Sequence, residues 1–280
     1  MNLDVIIDKL EFHDDIKKSV KEALIKDCKK IQIIAEDAFD KEDDSYTICK
    51  EDPFTILVTI TYLLERTYDI YKLRSIPDDI IIESFKDISL IANSNYKKTG
   101  KIGLSGDDAK WLSHIIFAEI FKIGSMQFEI TKMFYIEKFQ DGRPKLVYPS
   151  EVTDVLTKDT YVINCHLQEG EDLSGKATDK SFKLARDFFN IYFHDVEFKA
   201  FIGYTWLFYP KMVEHLPDNS RIKEHAKRFK IYASCPCDIL ALERLFPHGK
   251  NNNGKPYTSL QNMAVEHPEW FGFSFGVIWW

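Results

Sequence analysis

The chain has 280 residues, 45% of them hydrophobic and 29% charged, a balance that suits a globular protein and enough length for one large domain or two ordinary ones. With 37 basic against 44 acidic side chains the formal charge is −7, which excludes a general attraction to nucleic acid or anionic lipid. The longest apolar run, residues 54–64, is about half a membrane span and contains three threonines, so no membrane segment is expected.

Residues 1–98 read as helices only. Asn2 caps a short first helix. His13-Asp14-Asp15 opens a second, with an apolar stripe at Ile16, Val20, Leu24, Ile31, Ile34 and Ala38. Lys41-Glu42-Asp43-Asp44 is a charged break. Asp52-Pro53 supplies a cap and a proline at the first position of a third helix, whose Phe54, Leu57, Ile60, Leu64, Tyr68 and Tyr71 make it the central one of the bundle. Ser75-Ile76-Pro77-Asp78-Asp79 repeats the start signal for a fourth. The glycines of Gly100-Lys101-Ile102-Gly103-Leu104-Ser105-Gly106 have no preceding strand and no G-K-[ST] ending, so they read as a hinge and not as a nucleotide loop. The domains expected are therefore 1–106, helical, and 107–280, mixed.

After a helix through Trp111, Leu112, Ile115 and Ile116 the period changes to two. Across 121–136, Met126, Phe128 and Ile130 face one way while Ser125, Gln127, Glu129 and Thr131 face the other. Asp141-Gly142 is a hairpin turn, with 145–148 as the returning strand. Residues 161–167 form the next strand, a polar loop follows, and 178–193 has helical spacing through Phe182, Ala185, Phe188 and Phe189. A strand over 198–206, short helices at 211–216 and 221–229, a strand at 230–233 and a helix at 238–246 come next. Asn251-Asn252-Asn253-Gly254 is a loop, Thr258-Ser259-Leu260-Gln261 is a capping box, and 270–280 closes the chain as a strand. The fold class is α+β: a helical N-terminal part, then an antiparallel meander of three strands and a long crossover helix in a mixed sheet.

The five cysteines, Cys28, Cys49, Cys165, Cys235 and Cys237, are odd in number, and Met1-Asn2-Leu3-Asp4 opens no secretory signal; a reducing, cytoplasmic setting is expected. Cys235-Pro236-Cys237, with His225 and His248 as its nearest histidines, lacks the paired spacing of structural zinc, so no metal is expected.

From its second strand onward this order of elements is similar to the GNAT-type acyltransferase fold. Ile76-Pro77-Asp78-Asp79, Asp87-Ile88, Asn95-Tyr96 and Gly103-Leu104 with Trp111-Leu112 resemble the helical N-terminal domain of a bacterial acyltransferase-like family. Ile123-Gly124-Ser125-Met126-Gln127-Phe128-Glu129, His166-Leu167, Phe188-Phe189, Thr205-Trp206-Leu207 and Thr258-Ser259-Leu260-Gln261 resemble its GNAT-like C-terminal domain. The resemblance implies acyl-coenzyme A as co-substrate, held between the strand ending at His166 and the strand ending at Trp206, with its pyrophosphate at the start of the crossover helix. That places Leu167, Gln168, Gly175, Lys176, Thr178, Ser181, Thr205 and Trp206 as donor-binding candidates. The chain departs from the pattern in two respects that bear on the donor, and one is that Leu167-Gln168 stands where the family tends to have Ile-Pro after the strand's His. The usual glycine-rich pyrophosphate loop is missing, and Gly170 and Gly175 are separated by Glu171 and Asp172, whose charges oppose a diphosphate.

Acyl transfer to an amine needs a base, an oxyanion donor and an acid for the leaving thiolate. His166 ends the strand beside the cleft and, as the side-chain type suited to proton transfer near neutral pH, is the candidate base, against the plainer reading of a hydrogen-bonded structural histidine. Glu129 could be the base or could orient His166, or be a solvated carboxylate. Tyr204 is the candidate acid, against a place in the core. Cys165 falls on the apolar side of its strand and reads as a small hydrophobe. The leading functional reading is transfer of an acyl group from a small-molecule thioester to an amine or similar acceptor. The alternative is a non-catalytic binding protein on a degenerate GNAT-like scaffold, which the acidic loop favours.

Overall fold

The computed structural model describes residues 1–39, 47–137, 145–168, 170–246, 249 and 256–280. The charged break at Lys41-Glu42-Asp43-Asp44, the Asp141-Gly142 turn, the Asn251-Asn252-Asn253-Gly254 loop, Glu169 and His248 lie outside these residues. Two compact units emerge. One is Met1–Ile123 with Asn190–Phe193, and the other is Gly124–Phe189 with His194–Trp280.

The first unit is helical: α1 (Leu3–Lys9), α2 (Asp14–Lys26), α3 (Cys28–Phe39), a 3-10 turn (Thr47–Lys50), α4 (Pro53–Leu73), α5 (Asp78–Thr99) and α6 (Gly106–Ile116), closing with β1 (Ile120–Ile123). Asn2 caps α1 by accepting from Val5 N. Asp52 caps α4, accepting from Phe54 N and Thr55 N, with Pro53 at the first position where its missing N–H costs nothing. α4 is central. It packs against α1, α2, α3, α5 and α6 and buries Leu57, Ile60, Leu64 and Tyr71. The helix expected to run from Asp14 through Ala38 is instead two, because Asp27 leaves helical geometry at φ −108°, ψ 19° while its N–H still reaches Ala23 O. Gly103 adopts φ +152°, and a Cβ there would come within 2.6 Å of Pro53, so only glycine lets this segment approach the start of α4, where Leu104 N donates to Pro53 O at 2.9 Å. α6 then starts from a Ser105–Asp108 capping box.

The second unit contains β2 (Met126–Lys132), α7 (Ser150–Thr153), β3 (Tyr161–His166), α8 (Gly175–Tyr192, its last residues in the first unit), β4 (Phe198–Thr205), α9 (Pro210–His215), α10 (Arg221–Ala226), β5 (Lys230–Cys235), α11 (Ile239–Leu245), α12 (Ser259–Glu266) and β6 (Phe273–Trp279). Its strands stand in the order β2-β3-β4-β6-β5. β3 and β4 are parallel, joined by the long crossover helix α8, and the other pairs are antiparallel. This is the mixed, mainly antiparallel sheet that the sequence led us to expect.

Two expectations are corrected here. The alternating stretch 121–136 is not one strand: Gly124, at φ +64°, and Ser125 separate β1 from β2. Nor do residues 145–148 form a strand. Leu146 and Tyr148 do point inward, but Tyr148 satisfies the Ile136 backbone through its hydroxyl, accepting from N at 3.0 Å and donating to O at 3.2 Å, and Pro149 then starts α7. β3 takes the place beside β2.

One face of the sheet carries aromatic rings against α8: Phe128, Phe201 and Phe182 meet edge to face at 5.2–5.8 Å. On the other face Val162, Ala200, Ile202, Ala233, Phe275 and Val277 form a core with Leu146, Val152 and Leu156. Truncating a fully buried ring such as Phe201 to alanine would cost about 3–5 kcal/mol. Thr258 and Gln261 form the expected capping box of α12.

Candidate active site

β2 and β3 run antiparallel with Gln127 opposite His166 and Glu129 opposite Asn164. Because successive strand side chains alternate, Gln127, Glu129, Asn164 and His166 share the face away from Phe128. Glu129 Oε2 receives Asn164 Nδ2 at 2.9 Å and His166 Nε2 at 2.7 Å. Glu129 is 8% exposed and Asn164 7%, whereas the His166 side chain retains 25% of its accessible area. A carboxylate this buried needs charge-assisted donors, and the register supplies both from one strand. An ionised carboxylate can only accept, so against an ionised Glu129 the Nε2 of His166 is the nitrogen that carries a proton. The sequence candidates His166 and Glu129 are thus brought together, and Asn164 joins them. Its place two residues before His166 was the available signal.

Tyr204 continues the row on β4, which follows from the pairing of Asn164 with Ile202. Its hydroxyl donates to Phe134 O at 2.6 Å, and its ring stacks on Phe134 and lies 4.8 Å from Phe275. Burial, then the neighbouring Tyr148, push its pKa well above the ordinary tyrosine value. Thr205 accepts from Leu207 N, capping a 3-10 turn, and Trp206 packs against Phe271. Cys165 is half-buried, and desolvation raises its thiol well above the usual pKa, which fits a packing role.

Leu167 and Gln168 leave β3 half-buried, and Lys176 is exposed. Thr178 and Ser181 are buried and donate back to the preceding turn, to Ser174 O at 3.0 Å and Ala177 O at 2.9 Å; Ser181 Oγ also accepts from Ser125 N. Asp172 accepts from Ser174 N and Oγ, which holds its pKa below the usual carboxylate range.

The first amide of α8 is already taken. Gly175 N donates to Glu224 Oε2 at 3.0 Å, and Arg228 binds Gly175 O at 2.8 Å, Asp179 Oδ1 at 2.6 Å and Glu224 O. A Cβ on Gly175 would lie 3.2 Å from both Glu224 Oε2 and Arg228 Nη2, so the space over this amide is filled. In this arrangement the Gly175 amide is not open to a further acceptor. Glu224 and Arg228 lie about fifty positions along the chain, and no local pattern in the sequence points to them.

Among the described residues no group of three or more His, Cys, Asp and Glu is placed to hold a metal, and no helix is long and apolar enough to cross a membrane.

Comparison with known proteins places the chain in a family. The N-acyltransferase N-terminal domain matches residues 2–117, and the GNAT-like C-terminal domain matches residues 120–269. The chain belongs to the family that joins these two domains. Among solved structures it is similar to an acyltransferase in complex with decanoyl-CoA and teicoplanin, at 18% identity over 98% of this chain and 86% of that one, with a TM-score of 0.72. A mutant acyltransferase in complex with octanoyl-CoA matches over the same shares at 17% identity and a TM-score of 0.72. An acyltransferase with CoA and 10C-teicoplanin matches at 18% identity over 89% and 76%, with a TM-score of 0.65. At these identities the likeness establishes the GNAT-like fold. No match is found among curated protein sequences.

Proposed function

We propose that the chain transfers an acyl group from an acyl-CoA-type thioester to an amine-bearing acceptor, with His166 as general base and Glu129 positioning it. The observation that carries this reading is the Glu129 carboxylate holding both His166 and Asn164 on the edge of the β2–β3 pair. Family membership supports it, and so do the complexes of the similar acyltransferases with decanoyl- and octanoyl-CoA.

The thioester supplies an activated carbonyl. His166 Nδ1 takes the proton released as the amine nitrogen bonds to that carbon, while the carbon–sulfur bond breaks and the sulfur leaves as thiolate. The imidazolium formed at His166 lies against the ionised Glu129, which stabilises it where charge develops. Asn164 keeps the carboxylate from rotating away. Teicoplanin belongs to the similar proteins; for this chain the acceptor is defined only as a nucleophile whose proton His166 can remove.

The test is release of free thiol from acetyl-, octanoyl- and decanoyl-CoA in the presence of a panel of amines. Acceptor-dependent thiol release that disappears in His166→Ala supports the reading. Release that is unchanged in His166→Ala, or no release with any donor, overturns it.

A further inference from the structure

We infer that Phe134 selects the acceptor at this site and that the acceptor is an arylalkylamine, its ring stacked on the open face of Phe134 while its nitrogen reaches His166. The inference rests on the acyl-transfer reading above and names the class of amine that this reading leaves open.

The segment after β2 is pinned residue by residue. Met133 N donates to Thr160 O at 2.8 Å, and Phe134 O accepts from the Tyr204 hydroxyl at 2.6 Å. Tyr135 donates to Leu156 O at 2.5 Å, and the Tyr148 hydroxyl holds both N and O of Ile136. Met133 is buried in the core under this face of the sheet, and Tyr135 and Ile136 pack against it. Phe134 alone of the four turns outward and is 37% exposed. A large ring held in the open by a fixed backbone can take a ligand with little ordering cost.

Its position ties it to the chemistry. Asn164 pairs with Ile202, so His166 and Tyr204, each two residues further on, lie level on one face of the parallel β3–β4 pair. Phe134 lies on Tyr204, with ring centroids 5.0 Å apart and planes 27° apart. Among the described residues Tyr204 is the one ring that Phe134 meets, and its other face is turned outward. A ligand ring laid on that face extends the stack, and aromatic pairs favour such contact beyond the area they bury. A short alkyl tether then carries the amine to the thioester. The nitrogen–carbon bond forms, the carbon–sulfur bond breaks, His166 takes the amine proton and the sulfur leaves as thiolate. A saturated ring of similar size covers the same surface without the stack, so the two kinds of ring are told apart by Phe134.

The experiment measures kcat/KM for thiol release by the full chain with phenethylamine, cyclohexylethylamine and butylamine, using the donor that is most active in the test above. Stacking predicts that wild type favours phenethylamine over cyclohexylethylamine by about three- to tenfold. Phe134→Leu keeps an apolar side chain and removes the ring, so it should bring that ratio to about one. Phe134→Tyr restores a ring and should bring the preference back. If Phe134→Leu does not fold, Phe134→Met takes its place. A preference that survives in Phe134→Leu overturns the inference, as does one that Phe134→Tyr fails to restore. Thiol release in wild type with no preference for the aromatic amine sinks this inference and leaves the acyl-transfer reading standing. Absence of release with every amine and every donor sinks the two together.

Discussion

The two ends of the loop between β3 and α8 each meet a carboxylate, and the carboxylates are held in opposite ways. Glu129 stands on β2, is 8% exposed, and takes two donors, Asn164 and His166, from the strand beside it through a fixed register. Glu224 reaches the other end from a short surface helix and makes an exposed contact with one amide. Removing a partner from a buried charge-assisted cluster costs about 3–5 kcal/mol, whereas an exposed ion contact is worth about 0–1 kcal/mol. The difference teaches where the molecule is built to stay and where it is built to exchange. The His166 end is preorganised by sheet geometry, and the α8 end is closed by side chains that can swing.

The comparison breaks most visibly at His166. In His166→Ala the acyl-transfer rate should fall by about 10²–10⁴-fold, the range for loss of a positioned general base, with the far-ultraviolet spectrum unchanged. A smaller fall, under about threefold, would make the cluster structural. Glu129→Gln should come next, with kcat reduced by about 10²-fold and KM nearly constant, since the neutral amide still fills the space but no longer stabilises an imidazolium. A rise in KM with kcat intact would assign Glu129 to substrate binding.

The α8 end is sharpened by His225, the residue after Glu224. It is 1% exposed, and its Nδ1 has no partner. It lies among Phe182, Phe208 and Phe229. Burial, then the charge of Arg228, lower its pKa from 6.5 to about 4. Between those values the unfolded chain binds a proton that the folded chain refuses, so stability is lost as pH falls from 6.5 towards 4. His225→Phe should remove that share of the acid sensitivity and gain about 1–3 kcal/mol, by relieving an unpaired buried nitrogen. Chemical denaturation of both proteins at pH 7 and pH 4.5 reads the difference; parallel losses in the two would show that His225 is not the source of that acid sensitivity.

What the sequence showed and what it hid follow the same division. Strand alternation and caps made β3, α8 and the capping box at Thr258 legible, since each depends on residues within a few positions. His166 and Glu129 could be nominated because each lay on a polar strand face, but only register brought them to 2.7 Å. The run at 145–148 misled because inward alternation is also what a loop shows when Tyr148 replaces the ladder with its hydroxyl. Glu224 and Arg228 were invisible. Nothing in the α10 sequence says that its carboxylate lands on a glycine forty-nine residues earlier. The acidic residues that drew attention, Glu171 and Asp172, are near in sequence; of the two, Asp172 binds its own loop at Ser174.

Tyr204 tests the border between the two regimes, and its expected effect is the smallest. The sequence nominates it as the acid for the leaving thiolate, and its place beside His166 on the same face keeps that nomination chemically relevant. Its hydroxyl, however, already donates to Phe134 O at 2.6 Å, and burial holds its proton more tightly than in free tyrosine. A proton so held is a poor one to give, because the transfer would leave a phenolate among Phe134, Phe273 and Phe275. Tyr204→Phe should therefore cost about 1 kcal/mol of stability, the value of one hydrogen bond, and change kcat by less than about threefold. If kcat instead falls by about 10²-fold, the hydroxyl must leave Phe134 during turnover. The segment carrying Phe134 would then belong with Glu224 among the parts that move.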